Sequence, residues 1–119
     1  MNDAAIRPLA LFDVAGKVAI VTGASGAYGR VCATSLGALG VKLVLASGDA
    51  AGLEATAAAA RATGAEIETV ARRPDTEADA EAIAEAAMAR FGRLDILIVA
   101  HGINKVGTID AMPVAEWQG

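Results

Sequence analysis

The chain has 119 residues, of which 55% are hydrophobic and 20% charged; this excludes a disordered polymer and fits one packed domain. Ten basic residues against fourteen acidic ones leave a net charge of −4, which excludes a nucleic-acid surface built on clustered Lys and Arg. The single cysteine, Cys32, excludes an internal disulfide and, with no ligand cluster around it, suggests no metal site.

Met1 to Ala15 reads as a leader, mobile at its start, with Leu9, Leu11, Phe12 and Val14 apolar enough to lie on the domain surface. It has no signal-peptide core, and no apolar run in the chain reaches the length of a membrane span. A soluble, cytoplasmic chain is expected. Gly16-Lys17 punctuates, and Val18 to Val21 is a first strand, β-branched and apolar. Three glycines follow, at 23, 26 and 29, and then a helical pattern from about Tyr28 to Leu39 with Val31, Cys32, Leu36 and Leu39 on its apolar side, stopping at Gly40. Cys32 is expected to be a small core residue.

Val41 to Ala46 is a second apolar strand, closed by Ser47-Gly48-Asp49, with Asp49 a candidate helix cap. A helix of almost pure alanine follows, from Ala50 to Thr63, and ends at Gly64. Ile67 to Ala71 is a short third strand, broken by Arg72-Arg73-Pro74. Thr76 and Asp79 have the spacing of a capping box ahead of a helix from Glu77 to Arg90, in which Asp79 is expected to reach back and which ends at Phe91-Gly92. Leu94 to Ala100 is the most apolar of the four strands, and His101-Gly102 turns out of it. In the tail, Pro113 marks the start of a further helix, with Trp117 late in it.

The order is βαβαβαβ. Strands apolar on both sides, alternating with helices, predict an α/β fold: a doubly wound parallel sheet covered on both faces, of Rossmann type, with strand order 3-2-1-4 and residues 1–119 forming one partial domain. The glycine stretch has a physical reading in that setting. Gly23 lets the chain turn off the strand, a mid-loop glycine lets a pyrophosphate approach the backbone, and Gly29 lets the helix lie close against the strand. The ordinary alternative is a strand-to-helix turn that binds nothing.

These residues resemble the short-chain dehydrogenases/reductases. The resemblance runs from Leu11-Phe12-Asp13-Val14-Ala15-Gly16-Lys17-Val18 through Thr22-Gly23 to Trp117, and is particularly close over Arg90-Phe91-Gly92-Arg93-Leu94-Asp95-Ile96-Leu97. It implies a Rossmann fold that binds NAD or NADP and hydride transfer at a carbonyl or alcohol carbon. The cofactor-binding positions it implies are Gly23, Ser25, Gly26, Ala27, Tyr28, Gly29, Ser47, Ala100, His101 and Gly102.

The departures are specific. The family's short-chain branch spaces its glycines Thr-Gly-x-x-x-Gly-x-Gly; here Ala27 holds the middle position and Gly26 stands one residue earlier, the spacing of the extended branch that includes sugar-nucleotide epimerases. The flanks resemble the short-chain branch. After the second strand, Ser47 stands where NAD-preferring members carry an acid, and Gly48 where NADP-preferring members carry a base. After the third strand, the place of an adenine-side aspartate falls at Arg73 or Pro74, with Asp75 just beyond. After the fourth, Val99-Ala100-His101-Gly102 replaces Asn-Asn-Ala-Gly. His101 is read as a residue lining the crevice rather than as a catalytic base, because no partner is evident to tune it.

The family's catalytic tyrosine, its lysine four residues on, a serine and an asparagine all follow the fourth strand. The only tyrosine here is Tyr28, with Cys32 four residues on, so no catalytic residue is assigned. The chain is therefore expected to be the N-terminal cofactor half of such an oxidoreductase, whether fragment, truncated product or engineered half. The competing readings are a non-catalytic module that binds a dinucleotide or a partner chain, an extended-branch protein like the sugar-nucleotide epimerases, and a different Rossmann enzyme such as a methyltransferase. The apolar fourth strand is expected to form an exposed edge and to promote self-association.

Overall fold

The structure is a computed structural model that describes residues 8–102 and 106–118. The start of the leader before Pro8, together with Ile103, Asn104, Lys105 and Gly119 of the tail, lies outside the described residues. The elements are β1 (Val18–Thr22), α1 (Ala27–Ala38), β2 (Lys42–Ala46), α2 (Ala50–Arg61), β3 (Ile67–Val70), α3 (Glu77–Phe91), β4 (Ile96–Val99) and a final turn of helix, α4 (Val114–Trp117). Pro8–Phe12 forms a 3₁₀ turn with Leu9, Leu11 and Phe12 exposed. The four strands form one parallel sheet in the order β3-β2-β1-β4, the predicted α/β architecture of a doubly wound, Rossmann-type sheet.

Alternation along β1 and β2 divides the core. Ala19, Val21, Leu43 and Leu45 face one side and meet Ala33 of α1 and Leu53, Ala57 and Ala60 of α2. Val18, Ile20, Val44 and Ala46 face the other and meet Ile83 and Ala87 of α3. Both central strands are buried on both faces, which is why they read as continuous apolar runs. Each fully buried Leu or Val here contributes about 1.5–3 kcal/mol relative to exposure.

The predicted apolar side of α1 is corrected. Cys32 and Leu36 do lean on the core, but Val31 is 63% and Leu39 59% exposed. The buried face is Gly29, Ala33 and Gly37. These residues are small because the helix approaches its neighbours closely: a Cβ on Gly37 would stand 2.8 Å from Thr63 Oγ1 and 3.1 Å from Ala65 Cβ. Size, not hydropathy, selects that face.

Helix ends follow their punctuation. Gly40, Gly64 and Gly92 have φ of +83°, +91° and +74°, the left-handed conformation that terminates helices at little cost only with glycine. Asp49 caps α2, accepting from the Gly52 N–H at 3.1 Å, although α2 ends at Arg61 rather than Thr63. Thr76 caps α3, accepting from the Asp79 N–H at 3.2 Å. The reciprocal arm differs from a capping box: the Asp79 carboxylate accepts from the Thr76 hydroxyl at 2.7 Å and pairs with Arg72. An aspartate side chain is one methylene shorter than the glutamate of that motif.

β4 is shorter than the predicted Leu94 to Ala100, but its backbone pairing continues one residue past each end. The Asp95 N–H donates to Val18 O at 2.9 Å and the Ala100 N–H to Thr22 O at 3.2 Å. Arg93 pairs with Asp95 through two nitrogens at 2.8 and 2.7 Å, and Asp95 Oδ2 accepts from the Val18 N–H at 2.9 Å. The Arg93 hydrogen bond and that backbone N–H hold the Asp95 carboxyl below its ordinary pKa, and the pair raises that of Arg93. This junction aligns the starts of β1 and β4, and so the crevice at their other ends.

Candidate functional site

An open cleft of about 510 Å³ lies beyond the carboxyl ends of β1, β2 and β4. The chain runs outward from β1 to β2 to β3, then returns to place β4 on the opposite flank of β1. This is the topological switch point of an open α/β sheet, where ligands bind. Gly23, Ser25, Gly26, Ser47, Ala100, His101 and Gly102 line the cleft. These are seven of the ten positions read from the sequence. The other three, Ala27, Tyr28 and Gly29, open α1 behind the loop. Tyr28 is exposed and Gly29 is buried.

The three glycines have different physical origins. Gly23 has φ +65°, and a Cβ there would stand 2.6 Å from Ala100 O and 2.8 Å from His101 N. Both conformation and the β4 turn demand glycine at 23. A Cβ on Gly29 would strike the Gly23 carbonyl. Gly26 is unlike both. Its φ of −78° and ψ of 166° suit any residue, and the nearest atom to an added Cβ is Gly23 O at 3.4 Å. The folded chain places no demand on Gly26; its missing side chain leaves room in the cleft. Gly26 is also the N-cap of α1 and makes no side-chain cap bond, so the N–H groups of the first turn stay open to a ligand.

The walls are built by hydroxyls. Ser25 Oγ and Ser47 Oγ share a hydrogen bond of 2.6 Å across the cleft floor. Ser47 Oγ also accepts from the Asp49 N–H at 3.1 Å. The buried Thr56 of α2 donates to Ala24 O at 2.7 Å and ties the glycine loop to that helix. Thr22 Oγ1 and His101 Nδ1 share a hydrogen bond of 2.7 Å. His101 thus lines the crevice with its Nδ1 engaged by β1.

Gly48, Asp49, Arg73, Pro74 and Asp75 are not among the ten positions read from the sequence, yet all five line the cleft. The resemblance puts an adenine-side aspartate at Arg73 or Pro74, with Asp75 just beyond, but neither residue is that acid, and nothing local says that the turn after β3 comes back over the end of β2. Thr56 was also missed. Its signal was available: one polar residue inside the run Ala55 to Ala60 must find a hydrogen-bond partner if buried.

A protein-family model described as short chain dehydrogenase matches residues 17–119. A protein of Mycobacterium tuberculosis described as an uncharacterized oxidoreductase is 43% identical over 109 residues, covering 92% of this chain and 40% of that protein. The crystal structure of a short-chain type dehydrogenase/reductase from Mycobacterium marinum superposes with a TM-score of 0.82 at 26% identity, covering 95% of this chain and 46% of that one. A metagenomic short-chain oxidoreductase solved in complex with NADP gives a TM-score of 0.75 at 36% identity, covering 87% of this chain and 47% of that one. The chain therefore spans about 40% of the length of the curated relatives it matches, and the spanned part is their N-terminal, sheet-and-cleft portion. With the family's lead-in to β4, its Thr22-Gly23 turn and its strand order all in place, the chain belongs to the short-chain dehydrogenase family.

Proposed function

We propose that this chain is the dinucleotide-binding domain, over residues 1–119, of an NAD(P)-dependent short-chain oxidoreductase. Gly26 carries the reading: it is a glycine that the fold does not require, at the mouth of a cleft at the sheet's switch point. The pyrophosphate would lie over Gly26 and the open first turn of α1. The adenosine end would lie toward Ser47 and Gly48, and the nicotinamide end toward Ala100, His101 and Gly102. A bound nicotinamide dinucleotide supplies hydride transfer to or from an alcohol or carbonyl carbon. The chain's own residues bind and orient. Gly23 and Gly29 shape the loop, Thr56 anchors it, and the Ser25–Ser47 pair presents hydroxyls to the ribose end. Tyr28 opens α1 with Cys32 four residues on, so these residues hold a cofactor and present no tyrosine–lysine acid–base pair.

The test is a fluorescence titration of the chain with NADH and NADPH. Saturable binding of either supports the reading; a chain folded by circular dichroism that binds neither overturns it. Gly26→Val sharpens the test. Its backbone angles suit valine, so stability should change by less than about 1 kcal/mol, the scale of a lost glycine N-cap preference, while dinucleotide affinity should fall at least tenfold.

We further propose that the isolated chain self-associates through β4. Leu97 and Val99 are 61% and 59% exposed on a strand with no partner on its outer edge among the described residues, the arrangement that recruits another chain. A cytoplasmic location goes with this reading; no helix among the described residues is long and apolar enough to cross a membrane.

A further inference from the structure

We propose that Arg73 makes this a site for the phosphorylated dinucleotide: its stem lies over Gly48 in the cleft that Ser25 and Ser47 also line, and its guanidinium is the cation that receives the ribose 2′-phosphate of NADP. The inference rests on the dinucleotide reading and adds to it which cofactor is chosen and by which residue.

Neither position after β2 reveals this. Ser47 is no acid for a ribose diol and Gly48 is no base for a phosphate. The base comes instead from the next crossover. The Ser47 N–H donates to Val70 O at 3.3 Å, and the Arg72 N–H donates to the same oxygen at 2.8 Å, so the chain leaving β3 turns back against the end of β2. Arg73 then lies along Gly48. A Cβ on Gly48 would stand 2.5 Å from Arg73 Cγ and 2.8 Å from Cδ. Gly48 is not in the left-handed region, so its glycine answers to the arginine stem and not to backbone strain. The missing side chain at 48 and the long one at 73 form one device.

Charge accounting points the same way. Arg61, Arg72, Arg90 and Arg93 each pair with a carboxylate. Among the described residues Arg30 and Arg73 pair with none, and of these two Arg73 lines the cleft, although Asp49 and Asp75 line it too. The Asp49 carboxylate is held at the first turn of α2 by the Gly52 N–H; Asp75 lies two residues along the Arg73 loop. An exposed arginine in a cleft that two serines also line is suited to a phosphate monoester, which accepts several charge-assisted hydrogen bonds at once.

The probes are 2′,5′-ADP and 5′-AMP, which differ in the phosphate at issue, titrated calorimetrically against the chain alongside NADH. The chain should bind 2′,5′-ADP roughly tenfold or more tightly than 5′-AMP, the scale of one or two charge-assisted hydrogen bonds. Arg73→Ala should erase that preference while changing 5′-AMP affinity less than about twofold, and Arg73→Lys should keep part of it. Gly48→Ala is an independent arm: it keeps the charge but displaces the arginine stem, and should also lower the preference. Arg73 is exposed, so melting temperatures should match across the Arg73 variants. Equal affinity for the two nucleotides, a preference that survives Arg73→Ala, or an equal loss for both nucleotides in that variant (the signature of stacking on adenine) would overturn the inference and leave NADH binding, and so the dinucleotide reading, intact. Binding of no nucleotide and no dinucleotide by a folded chain would overturn both.

Discussion

Asp95 shows how one residue joins sequence identity to site geometry. Its carboxylate takes two hydrogen bonds from Arg93 and one from the Val18 N–H, and these hold its folded pKa below the ordinary value. A depressed carboxyl contributes stability that is present above the unfolded pKa of about 3.9 and is lost as pH falls through the folded value. Asp95→Asn should therefore lower the melting temperature at neutral pH, and the gap to the parent chain should close on acidification below about pH 4. A gap that stays constant down to strongly acid pH would show that the carboxylate's charge has no part in the junction. The sequence placed this residue in a stretch close to the family's; that its side chain bonds across to β1 was not legible, because the partner is a backbone N–H distant in sequence.

At the scale of elements, α1 is where hydropathy misled. Val31 and Leu39 drew attention because they are large and apolar, but the helix faces its neighbours with Gly29, Ala33 and Gly37. The reason is distance: a helix that begins against the Gly23 carbonyl and ends against Thr63 and Ala65 has no room for longer side chains. Ala33→Leu should cost about 1–3 kcal/mol through overpacking, whereas Val31→Lys should change stability by no more than about 0.5 kcal/mol. Urea denaturation of the two variants measures both; equal costs would mean that α1 does not sit as closely as described. The alanine helix α2, by contrast, was legible almost to its ends. Alanine propensity and the Asp49 cap both act within a few residues.

At the scale of the molecule, the sheet is unequally protected. β1 and β2 are covered on both faces, while β4 alternates half-buried Ile96 and Ile98 with exposed Leu97 and Val99. An apolar groove of about 220 Å³ runs beside it, lined by Ile20, Ile83, Leu94, Leu97 and Val99. Sedimentation velocity at micromolar concentration should show association. The double substitution Leu97→Lys, Val99→Lys should shift the chain toward monomer, since charge on an edge strand opposes pairing with a second copy. A parent chain that sediments as a clean monomer would sink the proposal.

The sequence by itself determined the order of strands and helices, the helix stops at Gly40, Gly64 and Gly92, the parallel sheet and seven of the residues around its cleft. The elements and their stops rest on local propensity, backbone freedom or hydrophobic period, which act over a few residues; the cleft residues rest on the resemblance to the family. Only the tertiary structure decided that Gly26 is free of any demand from the fold, that Thr56 and Asp95 brace the site from a distance, and that Arg73 comes to rest on Gly48. Those facts depend on which chain segments meet, and a meeting across a parallel crossover leaves its trace in two separated places, a glycine at 48 and an arginine at 73, that can be recognised as one feature only when they are brought together.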